Sequence, residues 1–341
     1  MLTTTPTETV HHWPVYGHDW AVALLRSSLA HGRVRHAYLI TGPESVGKET
    51  LARAFAMALN CAEPDAGARP CGVCRPCRLI TAGGHPDLLY AEPDTDTGAL
   101  KIEAIRAVTR GLALKPFEAR FRVAIFRAFE RAQGPAQDAL LKTLEEPPPS
   151  AVLLVLARGA EALLPTIISR SQVLALRPVP PAVVRAVLVG QHSADPQQAE
   201  ALAHLSGGRL GWALRALADP DALAQRNAAF DTLEQSLALN RAGRFKLAET
   251  LSGNRQTLAA VLELWQSFWR DVLLLCEDSR LGPANADRVT QVQRMSISLT
   301  PAEALAALQA TRHALGLLST NTNLRLALEV MLLDYPRLRR D

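Results

Sequence analysis

Lysine is scarce in this chain. Only five occur among 341 residues: Lys48, Lys101, Lys115, Lys142 and Lys246. Long apolar stretches are missing too. No run approaches the roughly 18 apolar residues of a membrane-crossing helix, so a spanning segment is not expected. The segment Met1 to Trp13 is polar, carries two histidines and has no apolar core. It does not read as a signal peptide, and a cytoplasmic location is the expectation. A net charge of +4 at pH 7 is too mild to argue for direct nucleic-acid contact. No internal repeat or low-complexity tract is present. What remains is 48% hydrophobic and 21% charged, ordinary for a globular protein and long enough for two or three domains.

Against that scarcity, the position of Lys48 stands out. Residues 42 to 48 spell G-x-x-x-x-G-K. With so few lysines and 20 glycines, such a pattern arises by chance only about 0.02 times per chain. The apolar run Ala37 to Thr41 precedes it and reads as a buried strand. Leu51, Ala54, Phe55 and Leu59 follow at helical spacing. Strand, glycine loop and helix form the context of a phosphate-binding loop. Gly42 and Gly47 let backbone N–H groups turn inward, and Lys48 reaches the phosphates. The next position departs from the pattern. A working loop has Ser or Thr there for Mg²⁺, and this chain has Glu49. Thr50 is one residue late, about 100° around the helix. Taken alone, Glu49 is a carboxylate placed favourably at a helix N-terminus.

Four of the five cysteines, Cys61, Cys71, Cys74 and Cys77, fall within seventeen residues. The spacing C-x9-C-x2-C-x2-C suits tetrahedral Zn²⁺ held by four thiolates; two disulfides are the alternative. A reducing cytoplasm favours the metal, and a closed four-sulfur site is structural rather than catalytic. Cys276, in the apolar run Val272 to Leu275, is expected to be a buried free thiol.

Helices are expected over Val15–Gly32, Ile102–Leu112, Gln137–Leu144 and Leu163–Ser169. Strands are expected over Leu88–Tyr90, Arg122–Phe126, Ala151–Leu156 and Gln172–Leu176. Near-continuously apolar strands alternating with helices predict an α/β fold, a parallel sheet with helices on both faces. Arg33 and Arg35, just before the first strand, are either phosphate-facing or part of a solvated turn. Pro178 to Pro181 reads as a hinge. Beyond it the chain is helical. Leu262, Trp265, Phe268, Trp269 and Val272 recur at helical spacing as a packed core, and Thr300-Pro301-Ala302-Glu303 forms a capping box.

Several of these segments together resemble the bacterial clamp-loader AAA+ subunits of DNA polymerase III. They are His36 to Leu39, the glycine loop, the cysteine insert, the run Ala139 to Pro148 with Lys142, and Leu164 to Gln172. The resemblance is strong from Val15 to Pro178 and weaker beyond. Asn321, Asn323, Leu324, Leu326 and Glu329 resemble the last helix of the family's collar. It implies an AAA+ base domain over 1–178 with a zinc module at 61–77, a helical lid over 179–220 and a helical collar over 221–341. Ser169-Arg170-Ser171 resembles the family's Ser-Arg-Cys motif, which makes Arg170 the candidate arginine acting in trans on a neighbour's ATP site.

The motor subunits of the family would carry Ser or Thr after Lys48, acidic residues at 127 and 128, and an arginine at 211. This chain has Glu49, Arg127, Ala128 and Gly211. Ala157 and Arg158 also stand where many such ATPases place a polar Asn or Thr that senses the γ-phosphate. The resemblance therefore implies the delta-prime type of subunit, a stator of the polymerase III holoenzyme without ATPase activity of its own. Its partners would be the motor (gamma/tau) and delta subunits of a hetero-pentamer, with the sliding clamp and primer-template DNA reached through the complex. The alternatives are an active ATPase motor subunit and a zinc-dependent DNA-binding protein. Gly42, Gly47 and Lys48 leave ATP or ADP binding open.

Overall fold

The computed structural model describes residues 13–95, 97–219, 221–279, 282–318 and 322–337. The expectations placed on Met1 to His12 and on Asn321 lie outside these residues. The chain divides into two compact units. One holds the residues up to Glu92 and Leu100–Arg177; the other holds Pro93–Ala99 and the residues from Pro178 onward.

The first unit runs α1 (Asp19–Ala30), β1 (Ala37–Thr41), α2 (Lys48–Asn60), α3 (Arg75–Thr81), β2 (Leu88–Ala91), α4 (Ile102–Leu112), β3 (Arg122–Phe126), α5 (Gly134–Glu145), β4 (Ala151–Ala157), α6 (Pro165–Arg170) and β5 (Gln172–Ala175). The strands form one parallel sheet in the order β2-β3-β4-β1-β5. Alternation along each central strand feeds two cores. Tyr38, Ile40, Val152, Leu154 and Leu156 pack with Leu25, Leu51 and Phe55 of α1 and α2. Leu39, Leu153, Val155, Ala124 and Phe126 pack with Ile105, Leu140 and Ile167 of α4, α5 and α6. A sheet covered on both faces needs apolar side chains at every position of its central strands, and β1 and β4 are buried throughout.

Helix α1 begins at Asp19, four residues later than the periodicity predicts. Gly17 adopts a positive φ of 76°, and the buried His18 donates from Nε2 to the Val46 carbonyl at 3.0 Å. Both pull the backbone out of helical geometry before Asp19. Arg33 and Arg35 are exposed.

The second unit is helical: α7 (Pro181–His192), α8 (Pro196–Leu205), α9 (Leu210–Ala218), α10 (Asp221–Ala238), α11 (Arg241–Leu251), α12 (Arg255–Cys276), α13 (Val289–Ser298), α14 (Pro301–Leu317) and α15 (Leu324–Asp334). Helix α12 is its spine. Leu262, Trp265, Phe268, Trp269 and Val272 are all buried, and Trp265 Nε1 donates to the Ala229 carbonyl at 2.8 Å. The expected capping box at Thr300 and Glu303 is formed. Cys276 is a free thiol but only half-buried, because it lies in the last turn of α12 beside the carbonyls of Ser296 and Leu299. The expectation of a fully buried thiol is corrected on that account. Arg244 is buried, and no carboxylate among the described residues pairs with it. Its guanidinium instead donates to the carbonyls of Leu332, Tyr335 and Pro336, the groups a helix C-terminus leaves unsatisfied.

Candidate functional site

The loop Gly42–Gly47 joins β1 to α2 at the carboxyl ends of the strands, the edge where open parallel sheets bind ligands. Gly42 has φ +146°, and a Cβ there would lie 2.6 Å from the Leu176 carbonyl, so a side chain does not fit. Gly47 caps α2 with φ +110°. The loop thus has the backbone of a phosphate cradle. Lys48 Nζ is turned onto it, donating to the carbonyls of Gly42 at 2.6 Å and Pro43 at 2.8 Å.

Charged side chains gather beside the loop. Glu49, in the first turn of α2, forms an ion pair with Arg127, which follows β3. Arg127 also pairs with Glu92, beyond the end of β2, and its guanidinium lies 4.7 Å over the ring of Tyr90. Burial pushes the Tyr90 hydroxyl up, with Arg53 and Arg127 opposing it, so this tyrosine stays neutral. A second group forms beside the first. Arg158, just past β4, pairs with Glu44 of the loop at 2.9 Å and with Glu130 at 3.4 Å. Glu130 also accepts the Arg158 backbone N–H at 3.3 Å. It follows Ala128, whose φ of +47° marks a sharp turn after β3.

Glu49 and Arg127, at the two positions where the resemblance implies metal-handling residues, are therefore partners. Where a hydroxyl and an acidic residue would share Mg²⁺, Glu49 and Arg127 neutralise each other across 78 positions of sequence. Each was read in the sequence as a separate loss. A simultaneous change to opposite charges at the two metal positions was the signal that they meet. The roles of Glu44 and Glu92 carry no comparable signal.

The four cysteines converge. Their sulfur atoms all lie within 4.8 Å of one another, and Cys61 Sγ is 3.9 Å from Cys74 Sγ. All are free thiols, and 3.9 Å is close to the separation of two sulfurs about 2.3 Å from one tetrahedral zinc. Backbone N–H groups of Glu63 and Cys71 point at Cys61 Sγ, and that of Cys74 at Cys71 Sγ. Burial raises the Cys74 thiol, but N–H groups of Ala62 and Cys77 and the neighbouring thiols outweigh it and leave it at about 7. Burial and the other sulfurs push Cys77 far up, and burial raises Cys61. Four clustered thiols cannot all ionise without a cation between them, so the donor set fits a thiophilic divalent ion. The cluster is tied to its surroundings through Trp13 Nε1 to the Arg69 carbonyl at 3.0 Å and Arg26 to the Gly67 carbonyl at 2.8 Å. Arg120 donates to the Cys61 carbonyl.

Arg170 ends α6 on the surface. It pairs with Glu145 of α5 at 3.0 Å and donates to the Thr166 carbonyl at 3.3 Å. None of those partners belongs to the glycine loop or the cysteine cluster. Gly211 lies in the first turn of α9. In the first unit one buried carboxylate escaped the sequence reading. Asp87 is fully buried and accepts the N–H groups of Phe117 at 2.7 Å, Glu118 at 2.9 Å and Ala119 at 3.0 Å, with Arg122 at 3.5 Å. It shapes the turn that leaves Phe117 exposed.

A parallel sheet in this order with a glycine loop between β1 and the N-terminus of α2 is the arrangement of a P-loop domain. Residues 17–180 match the family described as DNA polymerase III, delta subunit. Over 153 residues the chain is 35% identical to the delta' subunit of Pseudomonas aeruginosa, covering 45% of this chain and 46% of that one. Over 183 residues it is 33% identical to the delta' subunit of Bacillus subtilis, covering 54% of each. Over 156 residues it is 36% identical to the tau subunit of Escherichia coli, covering 46% of this chain and 24% of that one. Over this segment the chain is similar to clamp-loader subunits of DNA polymerase III. The matches span about half the length of the delta' relatives and a quarter of the tau relative. Identity alone does not choose between them. No helix among the described residues is long and apolar enough to cross a membrane.

Proposed function

We propose that this chain is a non-hydrolysing, delta-prime-type subunit of a clamp loader. One observation carries the reading: Glu49 and Arg127, which stand where the resemblance implies metal-handling residues, form an ion pair with each other. Phosphoryl transfer in a P-loop enzyme needs Mg²⁺ bridging the phosphates and a carboxylate to hold it. A guanidinium at that point repels the ion, and Glu49 is already engaged with it. The sensor position is likewise taken by Arg158 in its own ion pairs.

In this reading the base domain and the 179–220 lid sit in a hetero-pentamer with gamma/tau and delta subunits, joined through the 221–341 collar. The assembly loads the sliding clamp on primed DNA in the cytoplasm. Cys61, Cys71, Cys74 and Cys77 hold a structural Zn²⁺, which neutralises four thiolates and fixes the insert. Arg170 acts across the subunit interface. An exposed ion pair such as Arg170–Glu145 contributes only about 0–1 kcal/mol, so leaving Glu145 for a neighbour's phosphates costs little. The purified chain is expected to hydrolyse no ATP above background, with or without primed DNA. Steady turnover near ~1 per second, abolished by Lys48→Ala, refutes the reading.

A further inference from the structure

We propose that the turn between α4 and β3 and the adjoining edge of the cysteine insert form a docking surface for an acidic protein segment that carries aromatic or branched apolar side chains. Three large apolar residues stand in solvent there: Phe117 is 78% exposed, Val73 74% and Leu114 62%. Leu114 and Phe117 lie in the turn, and Val73 lies between Cys71 and Cys74. Arg75 reaches Glu118 at 3.3 Å, so their near neighbours Val73 and Phe117 share one surface. Apolar residues exposed singly are ordinary, whereas a group of them on one firm support marks a contact site. The support here is firm. Buried Asp87 accepts the N–H groups of Phe117, Glu118 and Ala119. Arg122 donates to the Lys115 carbonyl at 3.3 Å. Buried Asn60 accepts the Phe121 N–H and donates to the Phe121 carbonyl, both at 3.0 Å. Arg120 donates to the Cys61 carbonyl, which ties the turn to the insert. Burying a carboxylate costs free energy, and this one fixes a segment whose largest side chain stays in water. A backbone held in this way loses little further freedom when its aromatic ring is covered, as an anchor residue requires.

The charges around these side chains select the partner. Residues 110–120 expose Arg110, Lys115 and Arg120, and residues 73–78 expose Arg75 and Arg78. Glu118 is the one carboxylate of either stretch, and it already faces Arg75. The whole chain carries a net charge of only +4, so the positive excess is concentrated here. A second copy of the chain would bring the same charge and be repelled. A single nucleic-acid strand wants aromatic rings in series for its bases, and two of these three apolar residues are aliphatic. An acidic segment instead sets carboxylates against Arg110, Lys115 and Arg120 while its apolar side chains cover Phe117, Leu114 and Val73. The inference goes beyond the non-hydrolysing reading and does not depend on it.

The test pans a phage-displayed library of random linear peptides on the full-length protein. The enriched peptides are then synthesised with a fluorophore and titrated by anisotropy. Enriched sequences are expected to combine Asp or Glu with Phe, Trp, Leu or Ile. Phe117→Ser and, separately, Leu114→Ser, each shown to be folded by thermal melting, are expected to weaken binding at least about tenfold, the scale of truncating an anchor side chain. Arg110→Glu/Lys115→Glu and added salt should weaken it as well. Ile297→Ser, at an apolar position of the second unit that is 86% exposed, should leave it unchanged. A library that yields no acidic, apolar motif overturns the proposal. So do enriched peptides that bind Phe117→Ser as tightly as wild type. Oligothymidylate that binds wild type more tightly than any enriched peptide, and is lost in Phe117→Ser, assigns the surface to nucleic acid and overturns the proposal too. Concentration-dependent dimerisation that Phe117→Ser abolishes assigns it to a second copy, with the same consequence.

Discussion

Replacing Asp87 by alanine tests how the turn at 117–119 is held. Its carboxylate accepts three backbone N–H bonds of 2.7–3.0 Å and faces Arg122 at 3.5 Å, all from a fully buried position. Hydrogen bonds to a charged group contribute about 1.5–3 kcal/mol each, but Phe117 and Glu118 are exposed enough for water to take over their donors. That discounts each lost bond to about 1 kcal/mol. Arg122, only 12% exposed, loses its counter-ion, which adds about 1 kcal/mol. The expected loss is about 4 kcal/mol, a large share of the 5–15 kcal/mol typical of a domain. Native-state hydrogen exchange of the β2 and β3 amides reads this in the first unit alone. Burial raises the Asp87 carboxyl, but the N–H groups of Glu118, Phe117 and Ala119, with Arg122, more than reverse that and hold it below its ordinary value. A depressed carboxyl stabilises fully above the unfolded value, near about 4, and loses that contribution as pH falls through the folded value. The gap between wild type and Asp87→Ala should therefore be full at neutral pH and shrink below about pH 4. A loss under about 1 kcal/mol, or a gap that does not change with acid, refutes this account.

Anaerobically purified protein should contain one zinc per chain, and Cys74→Ser should lose it while Cys276→Ser keeps it; freshly prepared protein with two disulfides and no metal would overturn the assignment. In a reconstituted loader at equal assembly, Arg170→Ala should lower DNA-stimulated ATPase, by as much as ~10³-fold at the one affected site. Arg170→Lys should rescue poorly, because a point charge lacks the guanidinium fork; an unchanged rate leaves Arg170 only its bond to Glu145. Arg244→Met should cost the helical unit about 3 kcal/mol in urea unfolding, since three carbonyls at the end of α15 lose their donor. A change below about 1 kcal/mol would mean that water caps that terminus equally well.

Much of the first unit was legible because its signals are local. The bounds of β1, α4 and β3 follow from apolar runs and periodicity, and they coincide with the structure. Helix α5 starts earlier than expected, at Gly134, because Pro135 at its start is suited to a first turn. The start of α1 was misjudged because Gly17 and His18 answer to the glycine loop, which is distant in sequence. The glycine loop and the cysteine cluster were visible through spacing. What fills the loop was not, since Glu49 and Arg127 are far apart and either alone passes for a surface charge. Asp87 and Arg244 were invisible for another reason. Their partners are backbone groups, which have no sequence signature.

On the proposed reading, the Glu49–Arg127 pair makes the loss of metal chemistry a one-way step. Changing Glu49 to Thr alone leaves Arg127 at the metal position, still held by Glu92. Changing Arg127 to Asp alone puts a third carboxylate beside Glu49 and Glu92 with no cation among them. Either intermediate is worse placed than the present chain, so neither path back is downhill at its first step. In the proposed role, a ring that contains such a subunit would have a seat that cannot drift back into turnover by one substitution, and the division of labour between idle and working seats would be guarded by coupling within a single chain.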